Sequence, residues 1–225
     1  MTSAHPTQAV DELSQPGGAL DLGPAQARLL IRMLRLLAQE DHPVRRDRVL
    51  DSIAGLGIEH AHAAALLDSW TERDDEGHIV GLVLTHNPTA HEVIIGGARK
   101  WTWCAMDTLI FTIVLNTPIT VCSTAPESGA VVRLQVSPSG TTEADPADAV
   151  VTQRVPARGQ SDFGTKTAIW GSFCHHSFFF PNHTEAEHWA AGRDDIAILS
   201  LEDGFAAARG MAAALTRYDE DQAGE

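Results

Sequence analysis

Apolar residues recur at helical spacing in the first third of the chain, where they predict three short helices. The first stripe is the clearest, because its arginines all fall off the apolar face. A proline at position 43 and glycines at 55 and 57 separate one helix from the next. The apolar positions of the three helices are Leu29, Leu30, Met33, Leu34, Leu36 and Leu37; Val44, Val49, Leu50 and Ile53; and Ile58, Ala61, Ala65, Leu66 and Trp70.

A turn at 74–77 and a strand-like run at 79–84 follow these helices. Three helices and then a hairpin is the element order of a winged helix-turn-helix. We therefore expect residues 23–85 to form a winged-helix-like module. Residues 1–22 contain several prolines and glycines and are expected to form a flexible tail.

The remainder of the chain predicts a mixed core over residues 86–218, followed by an acidic tail at 219–225. A buried helix is expected at 101–115, and a capping box of Thr184 and Glu187 is expected to open a short helix around Trp189. The predicted strands are 93–95, 119–123, 131–136, 150–155, 173–180 and 196–199, and a last helix covers about 201–217 behind Ser200 and Asp203. The sequence thus predicts an α+β protein whose core has mainly antiparallel strands.

The charge pattern argues against a DNA-binding role for the predicted winged-helix-like module. The whole chain has a net charge of −14. Residues 21–72 contain more acidic than basic side chains, and the third helix, where a recognition helix would lie, has acidic residues and neither Lys nor Arg. A helix that enters the major groove needs the opposite sign. A module used for packing alone is the favoured interpretation.

No export signal or membrane span is predicted. Residues 1–22 contain neither Lys nor Arg and no apolar segment, and no apolar run reaches the length of a bilayer. Three cysteines are too few for a disulfide framework, so we expect a cytoplasmic protein with reduced thiols.

Histidine-rich motifs do not form a recognisable zinc site. His91 and Glu92 lack the second histidine of an HExxH pattern, because position 95 is Ile. Cys174 and His176 would share one face of a strand, with His175 on the other, but their spacing matches no common zinc pattern. Hydrogen-bonded or surface histidines are the favoured interpretation.

The stretch WTWCAMDTLIF at 101–111 places a thiol and a carboxylate among apolar residues. On a helix, Cys104 and Asp107 stand at i and i+3 and share a face. Burial raises the pKa of both groups, which suits a thiol nucleophile with a resident acid or base. A buried cysteine is often only a core residue, whereas a buried carboxylate is costly without a partner. Spacing alone leaves both interpretations open.

Four segments resemble the bacterial organomercurial lyases, also called alkylmercury lyases. They are WTWCAMDTLIF, TVCS at 120–123, VVRLQVSPS at 131–139 and GSFCHHSFFF at 171–180. The resemblance covers about residues 24–217 and implies a small winged-helix-like N-terminal module before a mixed α/β core. It implies cleavage of the carbon–mercury bond of alkyl- and arylmercury compounds by protonolysis, giving a hydrocarbon and Hg(II).

The resemblance also implies roles for individual residues. Cys104 and Cys174 match the two mercury-binding, catalytic cysteines, and Asp107 matches the active-site aspartate. Cys122 matches a cysteine regarded as structural. Family members often have a second cysteine where this chain has His175. Trp103 matches a tryptophan near the carboxylate, and the expected walls of the substrate pocket are Trp103, Phe111 and Phe173.

The implied chemistry needs no cofactor, because soft thiolates bind mercury directly. Hg(II) is expected as bound product, with Cys104, Cys174 and Asp107 as its ligands, until external thiols or a mercuric reductase remove it. The expected partners are the organomercurial and cytosolic thiols, with no membrane and no nucleic acid. The alternative is a non-catalytic, mercury-responsive regulator that binds DNA through the winged-helix-like module.

Overall fold

The computed structural model describes residue 10, residues 13–15, residue 18, and residues 20–155 and 163–219. Its helices are α1 (Pro24–Gln39), α2 (Arg46–Ile53), α3 (His60–Trp70), α4 (Ala105–Val114), α5 (Lys166–Ser172), α6 (His183–Ala190) and α7 (Leu201–Thr216). Its strands are β1 (Glu72–Arg73), β2 (Ile79–Leu82), β3 (Leu84–Thr85), β4 (His91–Ile95), β5 (Ala98–Thr102), β6 (Ile119–Thr124), β7 (Val131–Ser137), β8 (Gly140–Asp145), β9 (Val150–Arg154), β10 (Phe179–Phe180) and β11 (Ile196–Ser200).

Two antiparallel sheets form the framework. The larger has the strand order β1-β2-β3-β5-β4-β6-β7-β8, and the smaller has the order β10-β9-β11. Each pairing between these strands is antiparallel. The predicted α+β class with mainly antiparallel strands is therefore confirmed.

The three N-terminal helices lie where the apolar periodicity predicts them, and the hairpin of β1 and β2 follows. Pro24 opens α1, where its missing N–H costs nothing, and Leu29, Met33 and Leu37 are buried on the predicted stripe. Strand β3 then pairs with β5, so the hairpin continues into the main sheet.

Helix α4 is the centre of the molecule. It packs against α7 and against strands of both sheets, and all of its residues except Ile113 are buried. Helix α7 approaches β9 closely because Gly204 has no side chain: a Cβ there would lie 2.5 Å from Val151 Cγ1. This packing holds the N-terminal end of α4 deep in the protein.

The prediction of a helix over 101–115 is wrong at its start. Trp101 and Thr102 instead complete β5 by pairing with β3 and β4. The helix begins at Ala105 because Cys104 has an extended backbone, with φ −147° and ψ 169°, and acts as the N-cap.

The predicted strand over 173–180 is also largely wrong, because only Phe179 and Phe180 pair with β9. Before them, α5 begins where the Thr165 side chain accepts the Ala168 N–H at 3.1 Å, and a 3₁₀ turn follows over Cys174–His176. The first half of the segment predicted as a strand is therefore a tight turn, which follows directly on the helix α5.

Two smaller predictions also differ. The N-cap of α6 is Asn182, whose side chain accepts the Glu185 N–H, so Thr184 does not cap this helix. Strand β8 was not predicted, because it is a polar strand at the edge of the sheet and lacks apolar alternation. The cap of α7 is as predicted, since Ser200 Oγ accepts the Asp203 N–H at 3.0 Å.

Parts of the predicted tails carry structural contacts. Val10 and Leu13 are buried in the main hydrophobic core. Asp219 forms an ion pair with Arg35 at 2.6 Å. The rest of both predicted tails, at 1–9, 11–12, 16–17, 19 and 220–225, lies outside the described residues. Across the part of the chain that is described, none of the helices combines the length and apolar character that crossing a bilayer demands.

Candidate active site

Cys104 and Asp107 form a capping box at the start of α4. The Asp107 side chain accepts the Cys104 N–H at 3.1 Å, and the Cys104 sulfur accepts the Asp107 N–H. The predicted proximity of the two side chains therefore holds, although its geometric reason differs. They meet as N-cap and N3 rather than as two positions inside a helix.

Cys174 approaches this pair from the 3₁₀ turn. One ligand atom from each of Cys104, Asp107 and Cys174 lies within 4.8 Å of the other two. All three side chains are buried, with residue exposures of 4%, 8% and 4%. The fold thus brings together three groups from two distant segments, in keeping with what the family resemblance implies for these positions.

The surroundings set the proton affinity of each group. Burial alone would raise the pKa of the Cys104 thiol, but hydrogen bonds with Cys174, with the backbone and side chain of Asp107, and with Ser177 lower that pKa to about 7. The pKa of Cys174 is raised well above its usual value by its hydrogen bond to Cys104 and by burial. Burial, followed by the charge on Cys104, raises the pKa of Asp107 well above its usual value.

These shifts give the three groups different protonation states. Cys104 is the thiol that ionises first, because its pKa is lowered, whereas the raised pKa values of Cys174 and Asp107 favour their protonated forms. The N-terminal end of α4 supports this order, because it directs a backbone N–H and the positive end of the helix dipole toward the Cys104 sulfur.

A mainly apolar cavity of about 80 Å³ adjoins the three groups. Phe111 and Phe173, both predicted pocket residues, line it. Residues from the N-terminal region also contribute to its wall, among them Leu13, Leu20 and Leu30. The cavity can hold a small apolar group next to the thiols.

Trp103, the third predicted pocket residue, does not line this cavity. Its ring packs edge to face on Trp170, with the centroids 5.3 Å apart. Its indole N–H is buried and has no hydrogen-bond partner. Trp103 therefore packs beside the site, against the helix that leads to Cys174.

The other cysteine and the histidines lie apart from the cluster. Cys122 is half-buried on β6, opposite Glu92 and Arg133 of the neighbouring strands. His176 is bonded through Nε2 to the Gly171 carbonyl at 3.1 Å, and His175 stacks on Trp170. These two histidines lie in a 3₁₀ turn and not in a strand, so the expected alternation between two faces of a strand does not occur.

Sequence reasoning missed two polar residues at the site. Ser177 is fully buried and bonds to the start of α4, and Gln153 on β9 lines the cavity. Ser177 carries a detectable signal, since it is a lone hydroxyl between the histidines and three phenylalanines. Gln153 carries no comparable signal in the sequence, because it is one of the polar residues within a segment predicted as a strand.

Comparison with known proteins identifies relatives of the chain. The family described as MerB, alkylmercury lyase, matches residues 84–213. An alkylmercury lyase of Streptomyces lividans is 31% identical over 206 residues, covering 90% of this chain and 89% of that protein. One of Bacillus cereus is 28% identical over 215 residues, covering 96% and 93%. The crystal structure of the mercury-bound form of MerB2 has a similar fold, with a TM-score of 0.68 and 19% identity, and covers 95% of this chain and 100% of that one.

Proposed function

The chain belongs to the alkylmercury lyase family, and from this premise we propose how its buried residues cleave a carbon–mercury bond. The protein is an organomercurial lyase, which converts an organomercurial into a hydrocarbon and Hg(II) by protonolysis. One observation carries the proposal of its site. Two thiols and a carboxyl group lie within 4.8 Å of one another beside an apolar cavity.

Cys104 makes the first bond to mercury in this proposal. It is the thiol with the lowered pKa, and its sulfur lies at the N-terminus of α4. Its thiolate displaces the weakly held ligand of R–Hg–X, and X⁻ leaves. The organic group R then occupies the cavity lined by Phe111 and Phe173. A soft thiolate is the ligand that a soft metal selects.

Asp107 and Cys174 supply the proton and the second thiolate. Asp107, held in its acid form, protonates the carbon as the Hg–C bond breaks. Cys174 gives its proton to Asp107 and bonds to mercury as a thiolate. The balance is R–Hg–S plus a thiol giving R–H and a bis-thiolate of Hg(II), and Asp107 ends in its starting state. The buried site excludes water from these transfers.

Product release requires a competing ligand for Hg(II). We propose that external cytosolic thiols, or a mercuric reductase, take the metal from Cys104 and Cys174. Asp107 is the third candidate ligand of Hg(II), because one of its oxygens lies within 4.8 Å of both sulfurs. No resident cofactor takes part in this scheme, and a cytoplasmic location would supply the reduced thiols that it needs.

The domain organisation forms part of the same proposal. Residues 23–85 make up a winged-helix-like module and residues 86–218 the catalytic core, between the tails at 1–22 and 219–225. The order of α1, α2, α3 and the following hairpin supports the module. Its role here is packing, because Leu30 of α1 contributes to the wall of the cavity. The alternative of a DNA-binding regulator finds no support in the relatives.

The test is release of benzene from phenylmercury in the presence of excess thiol. The wild-type protein and Cys122→Ser should release benzene at similar rates, because Cys122 lies outside the cluster. Cys104→Ser and Cys174→Ser should each lose turnover, since one thiol cannot form the bis-thiolate. Full turnover by either of these two variants would refute the proposed pair of thiols.

A further inference from the structure

Ser177 connects the two halves of the site through hydrogen bonds of its backbone and of its hydroxyl, which also bonds to the Cys104 thiol. Its N–H donates to the Cys174 carbonyl at 3.3 Å, which closes the 3₁₀ turn. Its own carbonyl accepts the Ala105 N–H at 3.1 Å, and its Oγ accepts the Met106 N–H, also at 3.1 Å. Ser177 is fully buried, so water does not replace these bonds.

The bonds matter because they complete the N-terminus of α4. The first amide groups of a helix lack partners within the helix. Here the amides of Cys104 and Asp107 are paired within the capping box, and those of Ala105 and Met106 depend on Ser177. Half of these donors are therefore paired with the residue that also closes the Cys174 turn.

We propose that Ser177 is a positioning residue that sets the separation of the Cys104 and Cys174 sulfurs for the second mercury–thiolate bond. The inference rests on the proposed function, because it assumes that both thiols bind one mercury. Cys104 and Cys174 lie 70 positions apart in the chain, so a contact between their segments has to hold them in register. The turn is also held from its other side, where Thr152 Oγ1 donates to the His176 carbonyl at 3.0 Å. That bond connects the turn to β9, whereas the bonds of the Ser177 carbonyl and Oγ connect it to α4.

The expected effect separates binding from turnover. Capture of R–Hg⁺ needs the Cys104 thiolate, and the Ser177 hydroxyl helps to lower the pKa of that thiol. Loss of the hydroxyl should therefore shift the rise of kcat/KM to higher pH, whereas a fault in the second mercury–thiolate bond should lower kcat on both sides of that rise. The second bond needs both sulfurs at a set distance, and a displacement of about 1 Å at a reacting group can cost about 10²-fold in rate. Ser177→Ala keeps the two backbone bonds but loses the Oγ bonds to Met106 and Cys104, and should therefore lower kcat by up to about 10²-fold.

The experiment compares Ser177→Ala and Ser177→Thr with the wild type, and uses Ser123→Ala as a matched control. Ser123 is also a fully buried serine, but its Oγ bonds to His91 Nδ1 at 2.7 Å and not to α4. Benzene release from phenylmercury gives kcat and KM. Rates are expressed per folded molecule, with the folded fraction taken from circular dichroism.

A second readout counts the thiols that one equivalent of Hg(II) protects from a thiol reagent. One equivalent of Hg(II) should protect two thiols in the wild type, in Ser177→Thr and in Ser123→Ala. These three proteins should also keep near-normal kcat, because each has a hydroxyl group at position 177. Ser177→Ala should protect fewer than two.

Wild-type kcat in Ser177→Ala, or equal losses in Ser177→Ala and Ser123→Ala, would overturn the positioning role. So would an equal loss in Ser177→Thr. Absence of turnover in the wild type would instead refute the proposed function, so the two failures are distinguishable.

Discussion

Replacement of Asp107 by asparagine separates its chemical role from its structural one. Asp107 is buried and its raised pKa favours the neutral, protonated form, to which asparagine is close in shape and in charge. The amide oxygen can still accept the Cys104 N–H, which Asp107 accepts at 3.1 Å. Asparagine cannot, however, give a proton to carbon and then take one from Cys174.

The expected magnitudes differ between asparagine and alanine. A positioned acid or base typically contributes about 10²–10⁴-fold to a rate, so both Asp107→Asn and Asp107→Ala should lose turnover by that factor. Alanine also leaves the Cys104 N–H without a partner in a buried site, which costs about 1–3 kcal/mol in the free energy of unfolding. Asparagine should keep that free energy near the wild-type value.

Three measurements check the prediction. They are benzene release from phenylmercury, Hg(II) binding by thiol protection, and the free energy of unfolding in urea. Asp107→Asn should bind Hg(II) with both thiols and unfold like the wild type, but turn over slowly. Full turnover in Asp107→Asn would refute the acid–base role. Loss of Hg(II) binding together with stability in that variant would show that the carboxyl group is structural.

Two further predictions concern pH. In the proposed mechanism the Cys104 thiolate starts the reaction, and the pKa of this thiol is lowered to about 7. The value of kcat/KM for phenylmercury should therefore rise with pH through about 7, and a rise centred near 9.0, the ordinary value for the thiol, would contradict this. His91 is buried, and burial lowers its pKa from 6.5 to about 3. As the pH falls below 6.5, His91 of the unfolded chain takes up a proton, whereas His91 of the native protein stays neutral until about pH 3. When the pH is lowered from 7.5 to 5, the free energy of unfolding in urea should therefore fall by about 2 kcal/mol more for the wild type than for His91→Asn. An equal fall in the two proteins would refute the role of His91.

The site shows where local sequence patterns succeed and where they stop. Cys104 and Asp107 were predicted to meet because they are three residues apart, and they do meet. The prediction placed both inside a helix, yet α4 begins after Cys104. Apolar residues continue from β5 into α4, so periodicity alone could not find this boundary. The capping box and the pairing of Thr102 with β3 and β4 set it.

The segment around Cys174 shows the stronger limit. Its aromatic residues predict a strand over 173–180, but only the last two residues of that segment form ladder pairs with a neighbouring strand. The helix α5 ends just before this segment, and a 3₁₀ turn over Cys174–His176 follows. The bond from the Ser177 N–H to the Cys174 carbonyl closes that turn. Strand β8 was missed for the opposite reason, since an edge strand that faces water carries no apolar signal.

The sequence by itself determined the local elements with strong periodicity, the acidic balance and the candidates for the reactive groups. Helical spacing found α1, and the resemblance singled out Cys104, Asp107 and Cys174. Only the tertiary structure decided how close those three groups lie, in which direction the pKa of each is shifted, and which residues line the cavity. Distances between segments 70 positions apart depend on packing and on hydrogen bonds such as those of Ser177, and the pKa of a thiol depends on burial and on neighbours that local spacing does not reveal.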